Sequence, residues 1–438
     1  MSGKMFNFRA LNKSQHTSDP CNIKMIKKLM DNAFKEKIKS FILEESDEQP
    51  VAAQPDTFWQ KLKDVGTELW LDTGDMEEAE KNWSAEMTAL TTNNTLINKE
   101  IQKGIYDAFI ADAMEIVKEL PVQQQVKEIA FILNARHGLR LARKFGGFVS
   151  VELHTDTAHD IEAIMEYGMR YFEICPDQFI VKVPYTASGL IGARKLRERG
   201  VKINFTLEFS ARQNVLVAAI TKPNYLNVFL GRIGAYISDN GLGDGSGAGE
   251  NAVLSSQKWV KELTKNNPEP TRLIAASLRN YQQLEDLAGV DVFTMPPKVA
   301  AEGKAKLSGN FRSRLNEFYP VGLNEKAEDC FTEKLWEVSD NELQLAKSLS
   351  KNCPQNGEEL VQRAWEADCG DLFPRLSDSD LQHITEDGKI PKHERWASRI
   401  KNGELAIDTL LNLAGLASFA SDQAQLDERI KQIIASKK

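Results

Sequence analysis

The chain has 438 residues, 42% of them hydrophobic, without compositional bias, so it reads as a globular protein able to bury a large core. A formal charge of −8 argues against a nucleic-acid or anionic-membrane surface, since both need a basic field. The longest apolar runs, such as residues 215–220, fall far short of the roughly 20 residues of a membrane span.

The first 17 residues carry Lys4, Arg9 and Lys13 and no acid, a composition shared by organelle transit segments and by plain disordered tails, of which the tail is the simpler reading. Residues 1–58 are polar and form an N-terminal extension, with a helix predicted over 22–43 and an acidic patch at Glu44, Glu45, Asp47 and Glu48. From about residue 68, short β-rich runs alternate with longer helical stretches, as in a parallel sheet built from βαβ units. The strands fall at 69–73, 87–92, 148–153, 179–184, 203–208, 226–231, 273–277 and 290–295. Helices are expected at 98–113, 122–144, 160–168, 189–199, 210–220 and 280–287. Eight such units with no Gly-rich dinucleotide fingerprint after the first strand predict an α/β fold, a closed (β/α)8 TIM barrel over 59–320, rather than an open doubly wound sheet. Residues 321–400, punctuated by Pro354, Gly357, Gly370, Pro374, Gly388 and Pro391, read as an insertion between short helical pieces. The last segment, 401–438, ends in an amphipathic helix over 422–434 that packs on the barrel.

At the C-terminal ends of barrel strands, side chains face the mouth where ligands bind. Those ends are rich in polar residues here. Asp72 ends the first strand, Asn93 the second and Glu152 the third; Lys182 lies within the fourth, and Asn204 and Thr206 on the fifth. Arg232 follows the sixth strand, and Ser277 and Arg279 close the seventh. Alternation puts Lys182 on one face with Ile180 and Pro184. A lysine buried in so apolar a strand should lose its charge more easily and become a nucleophile. The bland alternative is a lysine paired with Glu152 or reaching to solvent.

The run Ile180-Val181-Lys182-Val183-Pro184, followed by Gly200-Val201-Lys202-Ile203-Asn204-Phe205-Thr206-Leu207, resembles the core of the transaldolase family. Further matches are Asp72-Thr73-Gly74-Asp75, Thr91-Thr92-Asn93, Val149-Ser150-Val151-Glu152, Phe229-Leu230-Gly231-Arg232 and Ala276-Ser277-Leu278-Arg279-Asn280. The resemblance covers residues 66–300 and, faintly, 419–430. It implies that Lys182 forms a Schiff base with a ketose phosphate, that Asp72 is the acid–base group at C4, and that Glu152 and Thr206 hold a water for dehydration and hydrolysis. It gives Asn93 and Asn204 the substrate hydroxyls, and Arg232, Arg279 and Ser277 the phosphate. Phe229 would pack beside the substrate.

The activity so implied is transfer of a dihydroxyacetone unit between sugar phosphates in the pentose phosphate pathway, by a cytoplasmic homodimer with no cofactor. Asn227 departs from the family pattern, which has a serine there, and this keeps open an aldolase or a transferase acting on a different sugar phosphate. Glu152 favours transfer, since the related aldolases place a glutamine at that position. Tyr185 and His154, just past strands four and three, either shape the mouth or cap loops.

Other motifs carry less. The stretch 241–249, Gly-Leu-Gly-Asp-Gly-Ser-Gly-Ala-Gly, lacks the Lys-Ser/Thr ending of a phosphate loop and reads as a flexible loop at the mouth. The five cysteines, Cys21, Cys175, Cys330, Cys353 and Cys369, are scattered without a C-x-x-C pair, and the six histidines show no metal-ligand spacing, so no metal is expected.

Overall fold

A computed structural model describes residues 30–44 and 48–437. The transit-like segment, Cys21, the predicted helix before residue 30, and Glu45 and Asp47 of the acidic patch lie outside the described residues.

Eight parallel strands close into a barrel in sequence order: β1 (Glu68–Asp72), β2 (Met87–Thr91), β3 (Phe148–Glu152), β4 (Phe179–Pro184), β5 (Ile203–Thr206), β6 (Tyr225–Phe229), β7 (Arg272–Ala276) and β8 (Val292–Met295). This is the (β/α)8 barrel the alternation predicts, with every strand within two residues of its expected start and end. The expected strand β5 stops early because Leu207 adopts a left-handed backbone, φ 71°. Strand β6 stops at Phe229 because a helix, Leu230–Asp239, begins at once.

Side chains of alternate residues fill the barrel interior. Low in the barrel, Trp70, Ala89, Ile180, Ile274 and Val292 form a dry layer, with the Trp70 ring against Tyr225 at 4.6 Å. One step up, the interior becomes polar on several strands, with Asp72 above Trp70 and Lys182 above Ile180, while β7 keeps Ala276 above Ile274. The opposite faces, such as Val181, Val183 and Phe205, pack under the outer helices in a continuous core. Glu68 and Arg272 pair with each other on the interior face below the dry layer, at the strand starts, whereas Asp72, Glu152 and Lys182 lie above it at the C-terminal end.

Several helical expectations need correction. The helix predicted over 98–113 is two, Asn94–Gln102 and Asp107–Val117, broken where Gly104 takes φ 78° in the turn between them. The terminal helix runs Ile407–Lys437, starting well before residue 422. Its first half, including Leu410, Leu411, Ala414 and Ala417, is buried on all sides and so lacks the one-sided stripe by which a surface helix is recognised. The Gly-rich stretch is tied down rather than free. Asp244 N–H donates to Gly322 O at 3.0 Å, and Gly243 forms an antiparallel bridge with Leu323.

Beyond β8 the chain carries helices Pro297–Lys306, Asp340–Lys351, Gly357–Glu366, Asp378–Asp387 and His393–Lys401 before the terminal helix. The terminal helix crosses the C-terminal mouth. Asn412 Nδ2 donates to Tyr185 O at 3.1 Å and Leu207 O at 2.9 Å, just past β4 and β5; further along, Asp422 accepts from Thr95 Oγ1 on the far side. Among the described residues, no helix is long and apolar enough to cross a membrane.

Candidate active site

Neighbouring strands bring the site together by register. Glu152 of β3 lies beside Lys182 of β4, which lies beside Asn204 of β5, while Pro184 pairs with Thr206. The Lys182 side chain is 3% exposed; its amine donates to Thr92 O at 3.3 Å and stands 4.0 Å from Glu152 Oε2. Glu152 also accepts from Asn94 N–H at 3.3 Å. Burial pushes the Glu152 carboxyl up to about 7, against the opposing pull of Lys182, that N–H and Arg232, with Asp72 adding to the rise. Asp72, half open at the end of β1, is likewise raised by burial, with Lys182, Arg279 and Lys99 acting in the other direction. Glu152, raised to about 7 beside a buried amine, is a group that can exchange protons near neutral pH, and Asp72 is displaced in the same direction.

The floor beneath is fixed. Asn204 Nδ2 donates to Ser150 Oγ at 2.9 Å, and its Oδ1 accepts from Asn227 Nδ2 at 2.7 Å. The same Asn227 amide also donates to Phe205 O, so its donor group is occupied by the protein itself. Thr206 sits on this floor with a fully buried hydroxyl that has no hydrogen-bond partner, an arrangement a bound water or ligand would complete. Asn93 lies just past β2, where its Oδ1 caps helix Asn94–Gln102 by accepting from Leu96 N–H at 2.9 Å.

Across the mouth lie two arginines. Arg232 is 6% exposed, and its guanidinium lies 5.6 Å from the ring centroids of both Phe229 and Phe419. Burial, and then the charge of Arg279, push it down to about 10, so at neutral pH it stays cationic. Its Nη1 has no hydrogen-bond partner. Arg279, exposed, lies across Gly231, where an added Cβ would meet Arg279 Cγ at 2.5 Å and Ser277 O at 2.1 Å. Ser277 turns the chain with φ 63°, a strained value for a residue with a side chain. Two neighbouring cations, one of them buried with an unpartnered nitrogen, have the chemistry to hold an anion.

The family model described as transaldolase/fructose-6-phosphate aldolase matches residues 69–354. The chain belongs to this family. A probable transaldolase of Thermus thermophilus is 32% identical over 236 residues, covering 53% of this chain and 88% of the relative. A probable transaldolase of Dictyostelium discoideum is 26% identical over 293 residues, covering 64% and 90%, and a transaldolase of Protochlamydia amoebophila 26% over 312 residues, covering 66% and 95%.

Some residues of this transaldolase-family mouth escaped the sequence reading. Asn94, fully buried with neither side-chain atom partnered, escaped because its neighbour Asn93 looked like the strand-end polar group. Glu208 is fully buried and its carboxylate has no hydrogen bond of good geometry; burial holds the carboxyl well above the usual range, against the weaker pull of the backbone N–H groups of Glu208 and Asn227 and of Lys182. An acid in the apolar run Phe205-Thr206-Leu207-Glu208-Phe209 was the available signal. His137 was set aside with the other histidines, yet its Nε2 donates to Gly74 O at 2.7 Å and fixes the loop after Asp72. Burial pushes it down to about 4, so it is neutral. His154 does cap a loop, accepting from Asp156 N–H at 3.1 Å, whereas Tyr185 is buried outside the mouth. Among the described residues, no group of His, Cys, Asp and Glu is arranged to hold a metal ion.

Proposed function

We propose that the protein is a transaldolase that moves a dihydroxyacetone unit from fructose 6-phosphate or sedoheptulose 7-phosphate to an aldose phosphate through a Schiff base on Lys182. The observation that carries this reading is the buried Lys182 amine, 4.0 Å from a carboxyl whose pKa lies near 7, in a mouth that also holds two neighbouring arginines.

In this reading the amine attacks the ketose C2 carbonyl, and the carbinolamine loses water with Glu152 and the Thr206 hydroxyl holding the water that leaves and later returns. The iminium takes up the electron pair when the C3–C4 bond breaks, and Asp72 accepts the proton of the C4 hydroxyl. The aldose phosphate departs, an acceptor aldose takes its place, and the same steps reverse. Asn93 and Asn204 hold substrate hydroxyls, Phe229 packs beside the chain of the sugar, and Arg232, Arg279 and Ser277 hold the phosphate. Asn227 acts mainly through Asn204, which its amide orients. The iminium is itself the electron sink, so the reading needs no cofactor.

Residues 59–320 would carry this chemistry, supported by the segments 1–58, 321–400 and 401–438. The family resemblance extends the reading to a cytoplasmic homodimer of the pentose phosphate pathway.

The test is a coupled assay with fructose 6-phosphate and erythrose 4-phosphate, following glyceraldehyde 3-phosphate, beside Lys182→Ala. Turnover that the variant abolishes, with a borohydride-trapped adduct on Lys182, supports the reading. Release of free dihydroxyacetone without transfer would replace it with the aldolase, and absence of an adduct in the folded protein would overturn both.

A further inference from the structure

A second cavity, of about 280 Å³, lies beyond the end of β4, between Tyr185–Ala187, residues 372–384 and the first half of the terminal helix. None of Lys182, Glu152, Asp72, Arg232 or Arg279 lines it. Its walls are mainly apolar, including Leu372, Leu381, Leu413 and Leu416, and the rings of Tyr185 and Phe373 lie parallel with centroids 5.7 Å apart.

Two of the lining residues are polar and unsatisfied. Tyr185 and Thr409 are each 2% exposed, and neither hydroxyl has a hydrogen-bond partner. A buried hydroxyl left without a partner is unfavourable unless something supplies one. Charge narrows the choice of ligand. Tyr185 lies within electrostatic reach of Asp408, Arg212, Glu208 and Glu342, and the cluster around Arg212 also contains Asp371 and Lys334. Three carboxylates against two cations disfavour an anion nearby. Size narrows it further, since an apolar cavity of about 150 Å³ takes up benzene, so this one suits roughly 10 to 12 non-hydrogen atoms.

We propose that this cavity is a binding site, separate from the barrel mouth, for a small neutral ring compound carrying one hydroxyl, which fills the apolar volume and pairs with Tyr185 and Thr409. Asn412 also lines the cavity, and its amide joins the chain ends after β4 and β5. An occupant would therefore sit against the side chain that ties the two strands bearing Lys182 and Thr206.

The experiment is calorimetric titration of the full chain with 2-naphthol, naphthalene and 2-naphthoate. The expected result is a single saturable site for 2-naphthol, at least fivefold tighter than for naphthalene and tenfold tighter than for 2-naphthoate. Leu413→Trp, which fills the cavity, should abolish binding; if that variant melts early, Leu376→Trp at the wall serves the same purpose. The double variant Tyr185→Phe, Thr409→Val should weaken 2-naphthol to the level of naphthalene. Absence of a saturable site, equal binding of the naphthoate, survival of binding in a folded, filled variant, or a soaked crystal with 2-naphthol elsewhere would each overturn the proposal.

Discussion

Of the groups of charged side chains buried among the described residues, the one around Arg212 and the one in the barrel mouth differ in what they leave unfinished. Around Arg212, every nitrogen of the guanidinium is engaged: Nε and Nη2 with Asp408, both at 2.8 Å, and Nη1 with Asp371 at 2.9 Å and Glu342 at 3.1 Å. Ser210 Oγ and Lys334 complete the carboxylates. In the barrel mouth, Arg232 Nη1, the Thr206 hydroxyl and the Asn94 amide have no partner. The first group joins barrel helix Ala211–Ile220 to the later helices and the terminal helix, and it is complete without a ligand. The second leaves buried polar atoms unpaired, and under the proposed function a substrate fills them.

The largest effect expected from this contrast is at Lys182. Lys182→Met should reduce turnover by at least about 10⁴-fold, since the proposed covalent intermediate forms on this amine. Because the amine makes one long hydrogen bond and a 4.0 Å ion pair, the melting temperature should stay level or rise. A Lys182→Met protein that melts early would place the residue with the structural group instead. The converse variant, Arg212→Met, strands the buried carboxylates of Asp408 and Glu342, leaves Asp371 with Lys334 alone, and should lower stability by about 3–5 kcal/mol, read by denaturant unfolding. Its turnover per folded molecule should change by less than about tenfold, because no part of that group reaches the mouth.

How far each group was legible in the sequence follows from the same contrast. Lys182, Glu152, Asp72 and Arg232 stand out because each interrupts an apolar strand, or closes one, at the end where a barrel opens. The eight strands are visible for the related reason that a parallel barrel buries both faces and so writes short continuous apolar runs. Arg212 was invisible. It lies in a helix whose partners, Glu342, Asp371 and Asp408, are 130 to 196 residues away, and no local pattern encodes such a pairing. The terminal helix was half visible, because only its second half keeps a polar face. Asn227 looked like a change of specificity, and its role in bracing Asn204 needed coordinates.

The two groups should also respond to pH in opposite directions. Glu152, with an ordinary value of 4.5, titrates near 7 in the folded protein, so folding takes up a proton between those values. Its burial penalty is absent below about pH 4.5 and complete above about 7, on the order of 3 kcal/mol. For Asp371, burial alone would raise the pKa, but Arg212 and Lys334 more than reverse this, and the net shift is downward from 3.8. Its contribution is present above 3.8 and lost as pH falls through the lowered value. If the ionised Glu152 serves the reaction, kcat/KM should fall about tenfold per pH unit below 7. Glu152→Gln should lose that limb along with most of the rate. A wild-type profile flat down to pH 5 would mean that the carboxylate is not required.

The smallest effect tests whether the unfinished mouth is aimed at a phosphate. Gly231→Ala adds a single carbon where Ser277 O lies 2.1 Å and Arg279 Cγ 2.5 Å from it, so the β7 turn and the Arg279 side chain must both move. Lys182 and Glu152, on β4 and β3, lie outside that contact. The expected outcome is a rise in KM of about tenfold for a phosphorylated donor, equivalent to about 1.4 kcal/mol, with kcat within about threefold. The control is a donor without phosphate, such as fructose, for which the variant and wild type should perform alike. Equal losses on both donors would mean that the added carbon disturbs the barrel as a whole, and that Arg279 rests on Gly231 for packing rather than for phosphate binding.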